Sequence, residues 1–473
     1  MFKSNFIYEL KQLLRSNWLL LLSICLIFIF GFATYNGTEK VEEREAIIAF
    51  AKAETQENET VLIKTLDSLE QGLEVSLPSY RLPTDPIIVG KDFPQVAAMP
   101  AGDFAFLATG QSDLFSHYKK PVTYGGRMIE DFTEMTSPVQ LLFGSFDLGF
   151  VIVFLLPLLI IALSYNVLSA EKESGTLRLL AAQPIGIRNW VLQKLLIRFF
   201  LLSVHVLVSL TVVLLVFGTN PFGNLGGLLS LYGLVIGYML FWFALAFLVN
   251  LWVGSSAKNA LAMLGLWIGF VLLVPSILNQ MGTALYPMPS RTLMINDLRA
   301  MKADVVQRQD EILDGFLRDH PEYAINDTTQ TRNFWHSYIT SLNLLREEAK
   351  PIIDNYDRQL KNQQDWVNTY KWLSPSVTLQ EALNKLAGNA SSDYENYRKQ
   401  VLLFSEEWRD HFSPFLYNNT AFAKADVANL PTFEYKKSEY RSLAPLVLLL
   451  IATGLFGFGF LVSSTSKSNI ITI

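Results

Sequence analysis

The longest stretch without a charged side chain runs from Phe199 to Ala257, 59 residues with no Asp, Glu, Lys or Arg. A membrane-spanning helix needs about 20 predominantly apolar residues, so this stretch is long enough for two crossings. A turn-like segment rich in Asn and Gly, residues 220–227, divides it into two halves. The sequence therefore predicts a chain built into a lipid bilayer.

Four further windows carry no charge, and each contains a core that is apolar enough to span. The predicted fold class is accordingly mainly α, a polytopic membrane protein with six transmembrane helices. The predicted helices are residues 18–36, 148–169, 190–217, 228–252, 258–279 and 442–463.

The distribution of charge predicts the orientation of the chain. An even number of spans places both termini on one side, and the short segments at that face carry ten basic residues against three acidic ones, a net +7. Because the whole chain sums to −5, everything on the other side sums to −12. Basic residues are retained in the cytoplasm during insertion, so we expect both termini, the tail 464–473 and the loop 170–189 to be cytoplasmic.

Residues 1–17 precede the first span and alternate between two faces at helical spacing. Phe2, Phe6 and Leu10 fall on one face while Lys3 and Lys11 fall on others, which predicts an amphipathic elbow helix lying at the membrane surface. A plain helical N-terminal extension is the alternative. A cleaved signal peptide is disfavoured because the apolar run exceeds 7 to 15 residues and no A-x-A-like site follows it.

Two large insertions, residues 37–145 and 280–441, lie on the extracytoplasmic side in this topology. The first begins with a Glu- and Lys-rich segment, 39–74, which favours a helix leaving the membrane, and prolines then predict mixed structure. Residues 291–413 show helical periodicity among many charges, and breaks at 320–321, 326–329 and 374–376 predict three amphipathic helices. Both insertions are tethered to the same bundle at both ends, so we expect one joint domain.

Familiar catalytic and metal-binding patterns are missing from the sequence. The five histidines have no metal-ligand spacing, and no phosphate-binding loop G-x-x-x-x-G-K-[ST] occurs. The single cysteine, Cys25, lies in the first predicted span, so a disulfide framework within the chain is excluded. The acidic outer side argues against a nucleic-acid partner.

Three residues in or beside the spans are candidate functional positions. His205 is the titratable group deep in a predicted helix and could form an intramembrane polar site, although a neutral imidazole can also simply bond a neighbouring helix. Asp147 precedes the second span, where a carboxylate would cap the helix from the outer face. Pro157 within that span could act as a hinge or as a static bend.

The densest signal follows the second span. Gly175 can break the incoming helix, Ser174 or Thr176 can cap a new short helix, and Pro184 can end it. Such a helix would lie across the membrane surface and carry apolar knobs at Leu177, Leu179 and Leu180. From physical chemistry alone, this helix could dock into a cleft of a soluble partner, or it could be a solvated linker that lies on the lipid surface.

The pattern Glu-x-Glu-x-Gly-Thr-Leu-x-x-Leu-x-x-x-Pro at 171–184 resembles the hallmark of permease subunits of the type-2 ATP-binding-cassette exporter family. Further stretches resemble a bacterial subgroup with large extracytoplasmic insertions after the first and fifth spans. These stretches are residues 137–150, 157–159, 163–169, 372–376, 382–383, 386–388 and 430–435.

The resemblance implies a division of labour. A separate cytoplasmic ATPase dimer would bind ATP and Mg, a second permease subunit (this chain or a sister paralogue) would complete the pair, and the loop would be a coupling helix. This chain would then be no enzyme, hold no cofactor, and sit in the bacterial cytoplasmic (inner) membrane. Its action would be export or mechanical work on an extracytoplasmic protein partner. The coupling positions carried over are Glu171, Glu173, Gly175, Thr176, Leu177, Leu180 and Pro184.

Two points stand against a simple transfer of family properties. Lys172 occupies a position where related sequences often show Arg, so a bidentate ion pair there is in doubt. The rival interpretation from another class is a membrane-anchored extracytoplasmic receptor or scaffold without an ATPase, which explains the large outer domain but not the loop or the six spans.

Overall fold

The computed structural model describes most of the chain. Residues 1–10 and 12–17 of the expected elbow, 178–185 of the loop and the tail from 466 lie outside the described part. The described residues are 11, 18–110, 112, 115–123, 146–177, 186–219, 222–308, 311–312, 314–315, 318, 334–438 and 442–465.

Within that part, six helices are long and apolar enough to cross a membrane, which confirms the predicted polytopic, mainly α-helical class. Relative to the predicted bounds, the helix of the fifth span ends six residues later, and the helix of the first span continues beyond residue 36 to Glu70. The spans are the first half of helix Trp18–Glu70, then Leu148–Glu173, Ile187–Val216, Leu225–Trp252, Ser256–Leu285 and the apolar stretch Ala444–Leu461.

The fourth span forms the centre of the bundle, and most of its side chains are buried by the other helices. The sixth span packs along it, with Phe456 and Phe460 against the ring of Phe247 at 5.6 and 5.4 Å between ring centroids. The second and third spans also contact the fourth, and the first packs on the third. By contrast, the fifth and sixth spans expose most of their apolar side chains, as helices facing lipid do.

The first span continues without a break into the insertion that follows it. Helix Trp18–Glu70 has 53 residues, which at about 1.5 Å per residue is roughly 80 Å, more than twice the hydrocarbon thickness of a bilayer. Its first half is apolar and its second half is rich in Glu and Lys. Where it leaves the bundle, Gly37 allows the carbonyl of Phe106 to approach so closely that any Cβ would clash.

In the described part of the insertions, five α-helices have defined bounds, and two short strands form an antiparallel ribbon. The ribbon pairs β1 (Ala97–Ala98) with β2 (Tyr118–Lys119), with Ala97 opposite Lys119. The helices are α1 (Pro86–Asp92), α2 (Arg291–Gln307), α3 (Phe334–Tyr370), α4 (Pro375–Ala387) and α5 (Ser391–Tyr417). The break between α4 and α5 was not anticipated: Gly388 adopts a positive φ of 71° and ends α4.

The two insertions share one hydrophobic core, so they form one joint domain as expected; we call it the insert domain. Leu62 and Leu66 of the long first helix and Ile87 of α1 pack with aromatic residues of α5. Trp408 of α5 also donates its indole N–H to the carbonyl of Gly90 at 2.9 Å. The remaining aromatic members of this core from the second insertion are Tyr397, Phe404, Phe412 and Phe422.

A buried arginine joins the two insertions at a second point. Arg44, on the long first helix, donates to the carbonyl of Met99 at 2.7 Å and to the amide oxygen of Asn389 at 3.1 Å. Asn389, in the break between α4 and α5, in turn donates to the carbonyls of Ala105 and Ala108. These bonds hold the base of the insert domain together across more than 300 residues of sequence.

Helix α4 attaches the insert domain to the bundle. It contacts the fourth, fifth and sixth spans and the start of the second, and its apolar residues Leu379, Leu383 and Ala387 belong to the bundle's core. The end of the bundle that carries the insert domain is called the insert end below, and the opposite end, where residues 170–177 lie, is called the loop end.

Candidate functional site

The motif segment folds back on itself at the loop end. The second span ends in a short helix, Ser169–Glu173, and Gly175 follows with a φ of 77°, a conformation that favours glycine. Thr176 donates its hydroxyl to the carbonyl of Glu171 at 3.1 Å and contacts the carboxylate of the same residue. Gly175 therefore breaks the helix, as the sequence predicted, and Thr176 fixes the resulting turn.

Glu171 ties this turn to the third span. Its carboxylate accepts from the ammonium of Lys194 at 3.0 Å, and both side chains are largely shielded from solvent. Lys194 also lies over the ring of Trp190 at 4.5 Å from the centroid. The first acidic residue of the motif thus serves a contact inside the bundle.

Glu173 ties the same turn to the fifth span. Its two carboxylate oxygens accept the backbone N–H of Ser256 at 2.7 Å and the hydroxyl of Ser256 at 2.8 Å. Ser256 is the first residue of the fifth span's helix, where free N–H groups and the helix dipole favour a negative charge. The second acidic residue of the motif is therefore a cap supplied by a neighbouring helix.

Two buried asparagines support the turn at 165–168 that interrupts the second span. Asn250 of the fourth span accepts from the N–H of Leu168 at 3.0 Å and donates to the carbonyl of Ser164 at 2.9 Å. Asn259 of the fifth span donates to the carbonyl of Tyr165 at 2.8 Å. Sequence analysis missed both residues, although a polar amide close to each end of the short 252–258 connection was a readable signal.

These contacts define which motif residues are available to another molecule. Lys172, Glu173 and Gly175 are exposed at the loop end, whereas Leu177 is buried in the bundle core. Leu177 therefore anchors the turn instead of projecting as an apolar knob. Leu180 and Pro184 lie outside the described residues.

The intramembrane candidate His205 has a local explanation. Its Nδ1 lies 2.7 Å from the carbonyl of Leu201, one turn earlier in the same helix, and the side chain is partly buried. One ring nitrogen of His205, Nδ1, therefore already has a hydrogen-bond partner within its own helix.

Asp147 directly precedes the second span at the insert end, and Pro157 lies ten residues further along, within that span. The carboxylate of Asp147 accepts the N–H of Phe150 at 2.8 Å, which caps the helix, and the N–H of Thr109 at 2.8 Å, which fastens a loop of the insert domain to it. Burial raises the pKa of Asp147, while these two N–H groups act against that shift. Pro157 follows a π-helical segment, Val151–Leu155, so the bend expected there coincides with a local change of helix type.

Two regions of the chain match known family models. Residues 127–276 match the family model of the ABC-2 family transporter proteins, and residues 291–436 match a domain of unknown function, DUF3526. The first match covers the second, third and fourth spans, the fifth span as far as residue 276, and the motif segment, and the second covers much of the insert domain. No curated protein and no solved structure matches the chain.

The fold is that of a multi-pass α-helical membrane protein. Its region 127–276 is similar to the membrane region of ABC-2 transporter proteins, and together with the apolar helices this match supports a permease of an ABC transporter. Such a region implies a partner ATPase and usually a pair of permeases.

Proposed function

We propose that this chain is the membrane permease subunit that couples ATP hydrolysis by a separate ATPase to export, or to mechanical work on a protein outside the cytoplasm. The observation that carries the proposal is the ABC-2 match over residues 127–276, because it includes the Glu171–Thr176 turn, three complete spans and most of the fifth span. In this proposal the ATPase binds ATP and Mg²⁺, and this chain supplies the docking surface.

The contacts at the loop end support a coupling role for the turn. A displacement of Glu173 would act on Ser256, the first residue of the fifth span, and a displacement of Glu171 would act on Lys194 of the third span. The turn is thus connected to two helices besides its own. A docked ATPase would move these helices only through a difference in its affinity for two arrangements of the turn.

At the insert end, the same spans are bound to the insert domain. Asp147 joins the second span to Thr109, and α3 packs on the outer part of the fifth span, where Gly282 makes room for the ring of Trp366. Motion that begins at the loop end therefore has a packed route to the insert domain. This route supports mechanical work as well as export.

The proposal also specifies where the parts lie. The basic loop end faces the cytoplasm, the acidic insert domain lies outside, and the chain sits in a bacterial inner membrane with both termini inside. The partners are an ATPase dimer at the loop end, a second permease subunit in the bilayer and a protein that contacts the insert domain.

Co-purification from the native membrane tests the proposal. The full-length tagged chain should bring down a stoichiometric ATPase, and L180D in the motif should abolish this association. L293D is the matched control because it places the same charge on an exposed leucine of α2 in the insert domain. A chain that purifies without any ATPase and retains its activity in cells would instead support a receptor or scaffold.

Export and mechanical work are separated by a second set of variants. An internal transport path predicts that substitutions along the permease interface change transport. A force-transmitting subunit should tolerate those substitutions. It should lose activity when motion of the bundle is no longer transmitted to the insert domain.

A further inference from the structure

Two spans contain the same local departure from α-helix. The second span has a π segment at Val151–Leu155 and the fifth has one at Ile268–Leu273, and in each a proline, Pro157 or Pro275, follows two residues after the π segment ends. A proline has no N–H to donate to a preceding carbonyl, and both prolines and π segments are known causes of helix bending. Each of these two spans therefore contains a bend point, at Pro157 in the second span and at Pro275 in the fifth.

The carbonyls of the first π segment accept hydrogen bonds from side chains of other spans. The hydroxyl of Tyr238 in the fourth span donates to the carbonyl of Val153 at 2.9 Å, four residues before Pro157. The indole of Trp267 donates to the carbonyl of Phe154 at 3.2 Å, and Trp267 directly precedes the second π segment. The two bend points are consequently joined to each other.

The second π segment is bound by the insert domain. Ser374 and Ser376, at the start of α4, place their hydroxyl oxygens 2.7 and 2.9 Å from the carbonyl of Phe270. Phe270 lies five residues before Pro275, so the π-type bond from that position is unavailable. Both serines are buried, at 0 and 3% exposure, and their own oxygens are 2.7 Å apart.

Through these hydrogen bonds the insert domain is attached to the middle of the fifth span. Contacts at the end of that span depend only on the direction of the helix. The hydrogen bonds to the carbonyl of Phe270 also depend on how much the helix is bent at that residue. Since Trp267 links this region to Phe154, a change of bend in the second span reaches the same serines.

We propose that Ser374 and Ser376 are positioning residues that pass bending of the second and fifth spans to the insert domain. The inference rests on the proposed coupling to an ATPase and names the contact through which that coupling reaches the outside. Hydrolysis itself takes place at the ATPase, so loss of the serine hydroxyls uncouples the insert domain without stopping hydrolysis.

The experiment uses the complex of the full chain with its ATPase, purified from the native membrane and reconstituted in lipid. Spin labels at Y80C in the insert domain and V216C at the end of the third span report their separation in ADP and in a trapped ATP state, in a C25A background. Both positions are highly exposed, at 74 and 75%. ATP hydrolysis is measured on the same samples.

The variants remove the serine hydroxyls in two steps. S376A removes one of the two donors, and S374G/S376A removes both; glycine is chosen at Ser374 because that residue also caps α4 and glycine is tolerated at such positions. The matched control is T378V, which deletes a nearby buried hydroxyl that bonds only to carbonyls of residues 371 and 374.

In the wild type and in T378V, the label separation should change between the nucleotide states. S376A should reduce this change, and S374G/S376A should abolish it while hydrolysis stays within about twofold of the wild type. A full-sized change in S374G/S376A would overturn the inference alone. A wild-type complex that hydrolyses ATP while the label separation never responds to nucleotide would overturn the inference and also mechanical work as the proposed function, but not export.

Discussion

Glu173 of the second span caps the fifth span through Ser256, with one carboxylate oxygen on the backbone N–H at 2.7 Å and the other on the hydroxyl at 2.8 Å. The motif to which Glu173 belongs is continuous in sequence, yet this residue acts on a helix that begins 83 residues later. Its negative charge therefore stabilises the start of the fifth span within this chain, without any docked partner.

Replacing Glu173 should weaken the loop end in a graded manner. E173Q keeps one oxygen acceptor for the Ser256 N–H but loses the charge that complements the helix dipole, and E173A loses both. The midpoint of thermal unfolding should fall slightly for E173Q and further for E173A. E407A, at an exposed glutamate of α5, is the control; if E173A melts at the same temperature as E407A, the cap has no energetic role.

Removing the amide of Asn250 should be more costly, because its partners are buried. N250A would leave the N–H of Leu168 and the carbonyl of Ser164 without their partners, at a cost of about 3 kcal/mol. Denaturant unfolding in mixed micelles measures this loss. N279A removes an exposed amide from the fifth span and should leave stability unchanged; equal stability of the two variants would refute the assignment.

How much of this arrangement the sequence predicts depends on the kind of interaction. Charge-free apolar stretches determine the six spans, and the Glu- and Lys-rich continuation after residue 38 predicts the long first helix, because both depend on composition and period alone. The joint insert domain follows from tethering at both ends.

Other features depend on tertiary contacts that no local pattern encodes. Pro157 alone indicates a bend, but the π segment beside it and its counterpart before Pro275 require donors such as Tyr238 and Trp267 from other spans. Likewise, the spacing of apolar residues in the loop predicts that Leu177 projects from the surface, whereas Leu177 is buried in the bundle. The periodicity of a helix specifies its faces but not the neighbour that each face meets.

The insert domain should lose stability on acidification because of His117. Burial, reinforced by the nearby positive charge of Arg44, lowers the pKa of His117 to about 3, and its Nδ1 has no hydrogen-bond partner among the described residues. An unfolded histidine titrates near 6.5, so between these values the unfolded state binds more protons and stability falls as the pH falls.

For this single group the loss between pH 7.5 and pH 5 should be about 2 kcal/mol. Chemical unfolding of the wild type and of H117N at both pH values measures it, since asparagine cannot take up the proton. The wild type should lose more stability than H117N over this interval. Identical losses would show that His117 is not held neutral.

The orientation of the chain can be tested in whole cells with single cysteines in a C25A background. K350C lies on an exposed position of α3 in the insert domain, and K172C lies on the exposed turn of the motif. An impermeant thiol reagent should label K350C in intact cells and K172C only after permeabilisation. Labelling of K172C but not of K350C in intact cells would show that the chain has the opposite orientation.

The most direct test of the account is a photo-crosslinker placed at position 172, on the exposed turn of the motif, in the complex within its native membrane. Irradiation should capture the ATPase subunit, while the same crosslinker at position 80, in the insert domain ten residues beyond the end of the long first helix, should not. Capture of the ATPase from position 80, or of no ATPase from position 172, would contradict the claim that this turn is where the ATPase drives the chain.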